Sequence, residues 1–266
     1  MTLAITPPAR PPSALATANT YAGRTIKQFI RTPQLLVVQA LTSTMFLLIF
    51  RYVFGGAIQT GDVEYVDFLI PALAAVSGLF ASGAVGVAED AESGLFDRLR
   101  SLPVPRWALL FGRSMADTAL ICWGTFVSLI VGFMVGFRPS GGLVAALVAV
   151  ALCVLFAGAF AWLQIYLGLA AGNARAAQGL SFAVFPLIFV SSAYVPVETM
   201  PGWLQPIAAN QPVTAMVGAV RTLTLGGDTE ALLGQSASWF FVRSIAWSFV
   251  LLAVFITLSA RRFARL

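Results

Sequence analysis

The chain has 266 residues, of which 59% are apolar and only 10% charged, with a formal net charge of +5. Typical soluble domains carry about 25% charged residues, so this composition excludes an ordinary water-covered globule and points to an all-α integral membrane protein in contact with a lipid bilayer. The basic excess falls between apolar runs, where membrane topology accounts for it, and no nucleic-acid partner is inferred. No histidine is present, which removes the commonest general base and metal ligand. Cys122 and Cys153 lie inside apolar runs, where neither a disulfide framework nor a metal site is expected.

Residues 1–16 contain Pro7, Pro8, Pro11 and Pro12 and no apolar leader region. They read as a disordered cytoplasmic tail rather than a cleavable signal. Residues 17–32 are amphipathic. Arg24, Lys27 and Arg31 recur at spacings of three and four and gather on one helical face. Ala18, Ala22, Ile26, Phe29 and Ile30 fall largely on the other. This pattern predicts an interfacial helix lying on the inner leaflet, as an anchor alone or also as a contact for a cytoplasmic partner. Pro33 marks the turn into the bilayer and opens a single membrane domain over 33–266.

A hydrocarbon core about 30 Å thick needs roughly 20 helical residues. Six segments approach this, at about 34–54, 67–88, 114–136, 143–171, 176–195 and 239–260. Pro186 should kink the fifth, and Arg243 in the sixth lies within snorkelling reach of the interface. Six spans put both termini on one side. With the termini inside, twelve basic residues face the cytoplasm, while Arg51, Arg138, Arg221 and Arg243 lie at the outer side. That bias sets the orientation.

Between the second and third spans lies an island of charge, with seven Asp, Glu or Arg among the 18 residues 89–106. Gly94 supplies a flexible start. Leu95, Phe96, Leu99 and Leu102 then fall at helical spacing, with Asp97, Arg98 and Arg100 around them, and Pro103 and Pro105 end the helix. A helix of about eight residues is roughly 12 Å long. Its apolar stripe suits a groove on a partner or the surface of the inner leaflet, and physics leaves both open. Glu89, Asp90 and Glu92 read as solvated or as partners of Arg98 and Arg100. Asp117 lies four residues after Arg113, which suits a structural pair at the inner end of the third span. Gln164 is read as a hydrogen-bonding partner for a neighbouring helix, and Gly132-x-x-x-Gly136 and Gly168-x-x-x-Gly172 as sites of close helix packing.

Between the fifth and sixth spans, Pro201, Pro206 and Pro212 punctuate two helical stretches at 202–209 and 213–225. Both are too short to cross a bilayer. They form either an outer cap or re-entrant helices, and broken helices are tolerated at membrane depth only where protein covers them or they line a cavity.

Two motifs carry a family resemblance. Glu89-x-x-x-x-Gly94-x-x-x-x-Leu99-x-x-Leu102-Pro103-Val104-x-Arg106, followed by Leu109-Leu110-x-Gly112-Arg113, resembles the motif after the second span of ABC-2 type permeases. Val195-Pro196-x-x-x-Met200-Pro201-x-Trp203-Leu204 and Asn210-Gln211-Pro212-x-x-x-x-Val217-x-Ala219-x-Arg221 resemble that family's segment between spans five and six. The pattern is most similar to the daunorubicin-resistance type of drug and lipid exporters. The resemblance implies two copies of a separate ATP-binding subunit and a second permease, identical or a sister chain. It also makes 94–102 the coupling helix that docks on the ATPase, with 17–32 beside it and the first and fifth spans along the transport path. ATP and Mg would belong to the partner, and the site would be the bacterial cytoplasmic membrane.

Other residues agree that this chain does not hydrolyse ATP. It has no G-x-x-x-x-G-K-[ST] loop, and its single lysine, Lys27, lies outside any Gly-rich run. An ion- or proton-coupled secondary transporter is the alternative. It would need ionisable groups near the midplane and repeated halves, and the chain offers only the off-centre Asp117. A membrane enzyme acting on lipid head groups lacks a clustered acid, base or nucleophile.

Overall fold

A computed structural model describes residues 13–58, 63–76, 79, 83–100, 105–226, 229 and 233–265. Among these residues the chain is helical, with no strand. Within a bilayer the backbone must satisfy its own polar groups, and helices do so inside each segment. Four helices are long and apolar enough to cross a membrane among the described residues. They are α2 (Pro33–Leu48, continued by a π-helical turn, Ile49–Phe54), α6 (Arg106–Val135), α7 (Gly142–Ala171) and α12 (Ala237–Arg265). The protein is a multi-pass membrane protein.

The remaining helices are shorter. The amphipathic α1 spans Ala14–Arg31 and starts three residues earlier than expected, where the Ser13 hydroxyl accepts from the Ala16 N–H at 3.2 Å. The segment expected as the second span holds α3 (Tyr65–Val76) and α4 (Gly83–Glu92), which precede the short α5 (Leu95–Arg100). The fifth expected span holds α8 (Ala174–Phe182) and α9 (Phe185–Phe189), joined through Ala183 and Val184, which keep right-handed backbone angles, so the helix is interrupted just before Pro186. Pro186 sits in the first turn of α9, where its missing N–H costs no helical hydrogen bond. The outer segment carries α10 (Gln205–Asn210) and α11 (Pro212–Leu225).

The central helix is α7, packed against α4, α6, α8, α11 and α12. Small residues let these helices approach. A Cβ at Gly132 would stand 2.6 Å from the Ile70 side chain, and one at Gly168 would stand 2.5 Å from the Ala84 carbonyl oxygen. Their sequence partners Gly136 and Gly172 act differently. At φ 112° and 77° they form the left-handed caps of α6 and α7. Gln164 in α7 accepts a hydrogen bond from Ser181 of α8 at 3.1 Å, the neighbouring-helix partner expected for it. The main core surrounds Phe68, Phe156, Phe160, Met216 and Val217. A second core forms around Phe96, Leu109, Trp162, Leu169 and Phe263. Phe50 of the π-helical turn stacks on Tyr194 beyond α9, with centroids 4.1 Å apart, so the first and fifth expected spans meet through aromatic rings.

Candidate functional site

At the end of the molecule that holds the charged island, three helices share one ionic centre. Arg113 on α6 donates through Nε to both Asp117 carboxylate oxygens at 3.0 Å, and through Nη1 to Asp90 of α4 at 2.8 Å. Its Nη2 donates to the Gly83 carbonyl at 3.2 Å. Tyr21 of α1 donates its hydroxyl to the same Asp90 oxygen at 3.1 Å, and Arg24 approaches the other at 4.0 Å. Burial, and next the Asp90 carboxylate, push the Tyr21 phenol above its ordinary range, so it stays a proton donor. Arg113 and Asp117 form the pair expected from their spacing. Asp90 corrects the expectation of a solvated or Arg98/Arg100-paired acid, because the long Arg113 side chain reaches from α6 across to α4, where Gly86 leaves room for its guanidinium.

A second glycine sets α1 against α6. A Cβ at Gly112 would stand 2.5 Å from the Ala18 carbonyl oxygen, so α1 lies directly on the backbone of α6. Ala18, Tyr21, Ala22 and Thr25 form the buried face of α1. Arg24, Lys27 and Arg31 are exposed on its other side, and Phe29 packs partly against Leu120 and Ile121. A crevice of about 360 Å³ opens beside the ionic centre, its lining divided between polar residues such as Arg24, Asp90 and Arg113 and apolar ones such as Phe29, Leu35 and Leu120. Glu89 also lines it and is exposed.

The short helix α5 follows directly. Gly94 takes φ 67°, a left-handed turn that closes α4 and starts α5. Phe96, on the stripe whose spacing left open a partner groove or the inner leaflet, is buried against the chain's own core. Its ring meets Phe263 of α12 edge to face at 5.2 Å. Leu95 is partly buried in the same cluster, and Arg98 is exposed. Leu99 continues the helical backbone and Arg106 opens α6, while Leu102 and Pro103 lie outside the described residues.

The outer motif forms a second centre. Pro212 and Arg221 are buried on α11, which packs between α3, α7 and α12. Arg221 donates to the Phe68 carbonyl (2.8 Å), the Ala193 carbonyl (3.0 Å) and the Ser192 hydroxyl (3.4 Å). Before it, the Met200 carbonyl accepts from Gln205 at 2.9 Å, Asn210 caps back onto Pro206 at 2.8 Å, and Pro201 is exposed. Trp203 is 72% exposed, while Pro196 lines a cavity above Arg221.

A family model described as ABC-2 type transporter matches residues 19–225, which include both centres. The chain belongs to the ABC-2 type transporter family. Its relatives include the daunorubicin resistance ABC transporter permease protein DrrB1 of Streptomyces coeruleorubidus, 30% identical over 257 residues, covering 96% of this chain and 88% of that one. The probable doxorubicin resistance ABC transporter permease protein DrrC of Mycobacterium tuberculosis is 30% identical over 179 residues, covering 64% of this chain and 65% of that one. As an ABC-2 permease the chain is a non-catalytic membrane transport component. Among the described residues no group of three or more His, Cys, Asp or Glu is placed to hold a metal ion, and Cys122 and Cys153 are free.

Proposed function

We propose that this permease is the membrane subunit of an ATP-driven exporter that moves a hydrophobic or amphipathic drug, antibiotic or lipid out of the cell. Six spans hold both termini in the cytoplasm of a bacterium. A separate ATPase docks on α5, within the segment 94–102 expected to couple the two subunits, with the exposed cations of α1 contributing. A second permease completes the path against the exposed side of α2, where Leu41, Met45 and Tyr52 are uncovered.

The observation that supports this most is the inward burial of Phe96. A helix carried on the cytoplasmic surface alone would transmit little. Phe96 instead packs into a cluster with Leu109 of α6, Trp162 and Leu169 of α7 and Phe263 of α12. Close-packed side chains transmit displacement instead of absorbing it, so a push on α5 reaches three long helices. The ionic centre of Arg113, Asp90 and Tyr21 holds α1 and α4 to α6 as the base of that lever.

The test is co-purification with the ATPase followed by export from vesicles. Arg98→Asp should weaken ATPase binding. Phe96→Ala should leave binding in place and depress export for each ATP hydrolysed. Undiminished binding and export in an Arg98→Asp, Leu95→Asp double variant would overturn docking through α5. Transport driven by a proton gradient without the ATPase would favour the secondary-transporter alternative.

A further inference from the structure

Arg221 is fully buried, yet its partners are all neutral: two backbone carbonyls, one hydroxyl and the face of Phe68, whose centroid lies 3.4 Å from the guanidinium carbon. Among the described residues no carboxylate pairs with it. An arginine keeps its charge at neutral pH and carries five N–H donors, of which three are engaged here. A buried charge without a counter-charge is strongly disfavoured unless something completes it.

A cavity of about 140 Å³ stands over this residue. Arg221, Ser192 and Thr214 are its buried polar residues, and Trp239 and Phe240 add aromatic surface. Glu198 also lines it, but is exposed, and its carboxylate lies beside Gly234 toward the rim. The site is therefore polarised, with a cation at the floor, an anion at the rim and apolar wall between them.

We propose that this cavity binds the zwitterionic head of a membrane phospholipid, with its phosphate on Arg221 and its amine toward Glu198. The two N–H groups not engaged by the protein, one on Nη1 and one on Nη2, can each meet a phosphate oxygen. The rim carboxylate attracts the amine and disfavours a head that is only anionic. The aromatic wall suits the glycerol and upper acyl carbons. The proposed membrane orientation decides only which leaflet supplies the lipid, and the binding itself requires no ATPase.

The experiment is native mass spectrometry of the purified full chain in detergent, titrated with phosphatidylethanolamine, phosphatidylglycerol or inorganic phosphate. Wild type should hold phosphatidylethanolamine about tenfold more tightly than phosphatidylglycerol, and free phosphate weakly. Glu198→Gln should bring the two lipids to parity. Arg221→Met should lose both. That variant also removes three buried hydrogen bonds, so a second one guards against loss of the fold. Ala209→Phe fills the cavity from a partly buried lining position, and should reduce phosphatidylethanolamine binding about tenfold or more. Equal binding of both lipids by wild type would overturn the proposal, as would unchanged phosphatidylethanolamine binding in Ala209→Phe or phosphate binding as tight as the lipid. Loss of export with binding intact would count against the exporter reading and leave this site standing.

Discussion

Phe96 and Phe263 meet edge to face, with ring centroids 5.2 Å apart and ring planes at 88°. The first belongs to the short α5 and the second to the last turns of α12, so the carboxyl-terminal helix is coupled to α5 by direct contact. Truncating either ring should destabilise the protein by about 3–5 kcal/mol. A double-mutant cycle of Phe96→Ala and Phe263→Ala, read by thermal denaturation in detergent, should show a coupling of about 0.5–1.5 kcal/mol. Strict additivity would mean that the two rings act separately.

The ionic centre makes graded predictions. Arg113→Met leaves Asp117 and Asp90 without their shared cation and should cost about 3–5 kcal/mol. Tyr21→Phe removes one hydrogen bond and should cost about 1 kcal/mol. Arg113→Lys keeps the charge but loses the planar fork that reaches both acids, and should fall between the two. Chemical denaturation of the three variants checks the order.

Gly112→Val should separate α1 from α6, because no side chain fits against the Ala18 carbonyl. Overpacking of this kind costs about 1–3 kcal/mol. The expected signature is local, with faster trypsin cleavage at Arg24, Lys27 and Arg31 while cleavage elsewhere is little changed. Unaltered cleavage would show that α1 is held by its ionic contacts alone.

Orientation is tested by single cysteines in a background lacking Cys122 and Cys153. Ser93→Cys, after α4, should resist a membrane-impermeant maleimide added to intact cells. Gly202→Cys, beside Trp203, should react. The opposite pattern would invert the proposed topology.

Much of this architecture is legible in the sequence wherever one residue's environment follows from its neighbours along the chain. The long apolar runs become α2, α6, α7 and α12 because a bilayer helix satisfies its own backbone. Arg113 and Asp117 meet because residues four apart share a helix face. Asp90 departs from its expected role because its partner is 23 residues away on another helix, and spacing does not show the room that Gly86 leaves for it on α4. Tyr21 escapes a reading of spacing for the same reason, since its acid lies 69 residues away on α4. Spacing correctly gathers Leu95 and Phe96 on one stripe, but it cannot say whether that stripe meets a partner or the protein's own core. Arg221 stands in a recognisable motif, yet arginine is so seldom fully buried that the motif gives no sign of its depth.

The inward turn of Phe96 also bears on what holds the proposed complex together. With its aromatic ring committed to the permease interior, α5 offers a partner a surface that includes the exposed Arg98, and α1 offers the exposed Arg24, Lys27 and Arg31. Contacts built on exposed charge are screened at ionic strengths where the Debye length shrinks to about 3 Å. Assembly with the ATPase should therefore be weakened by added salt, while the permease itself, held by a buried ionic centre and aromatic packing, keeps its fold.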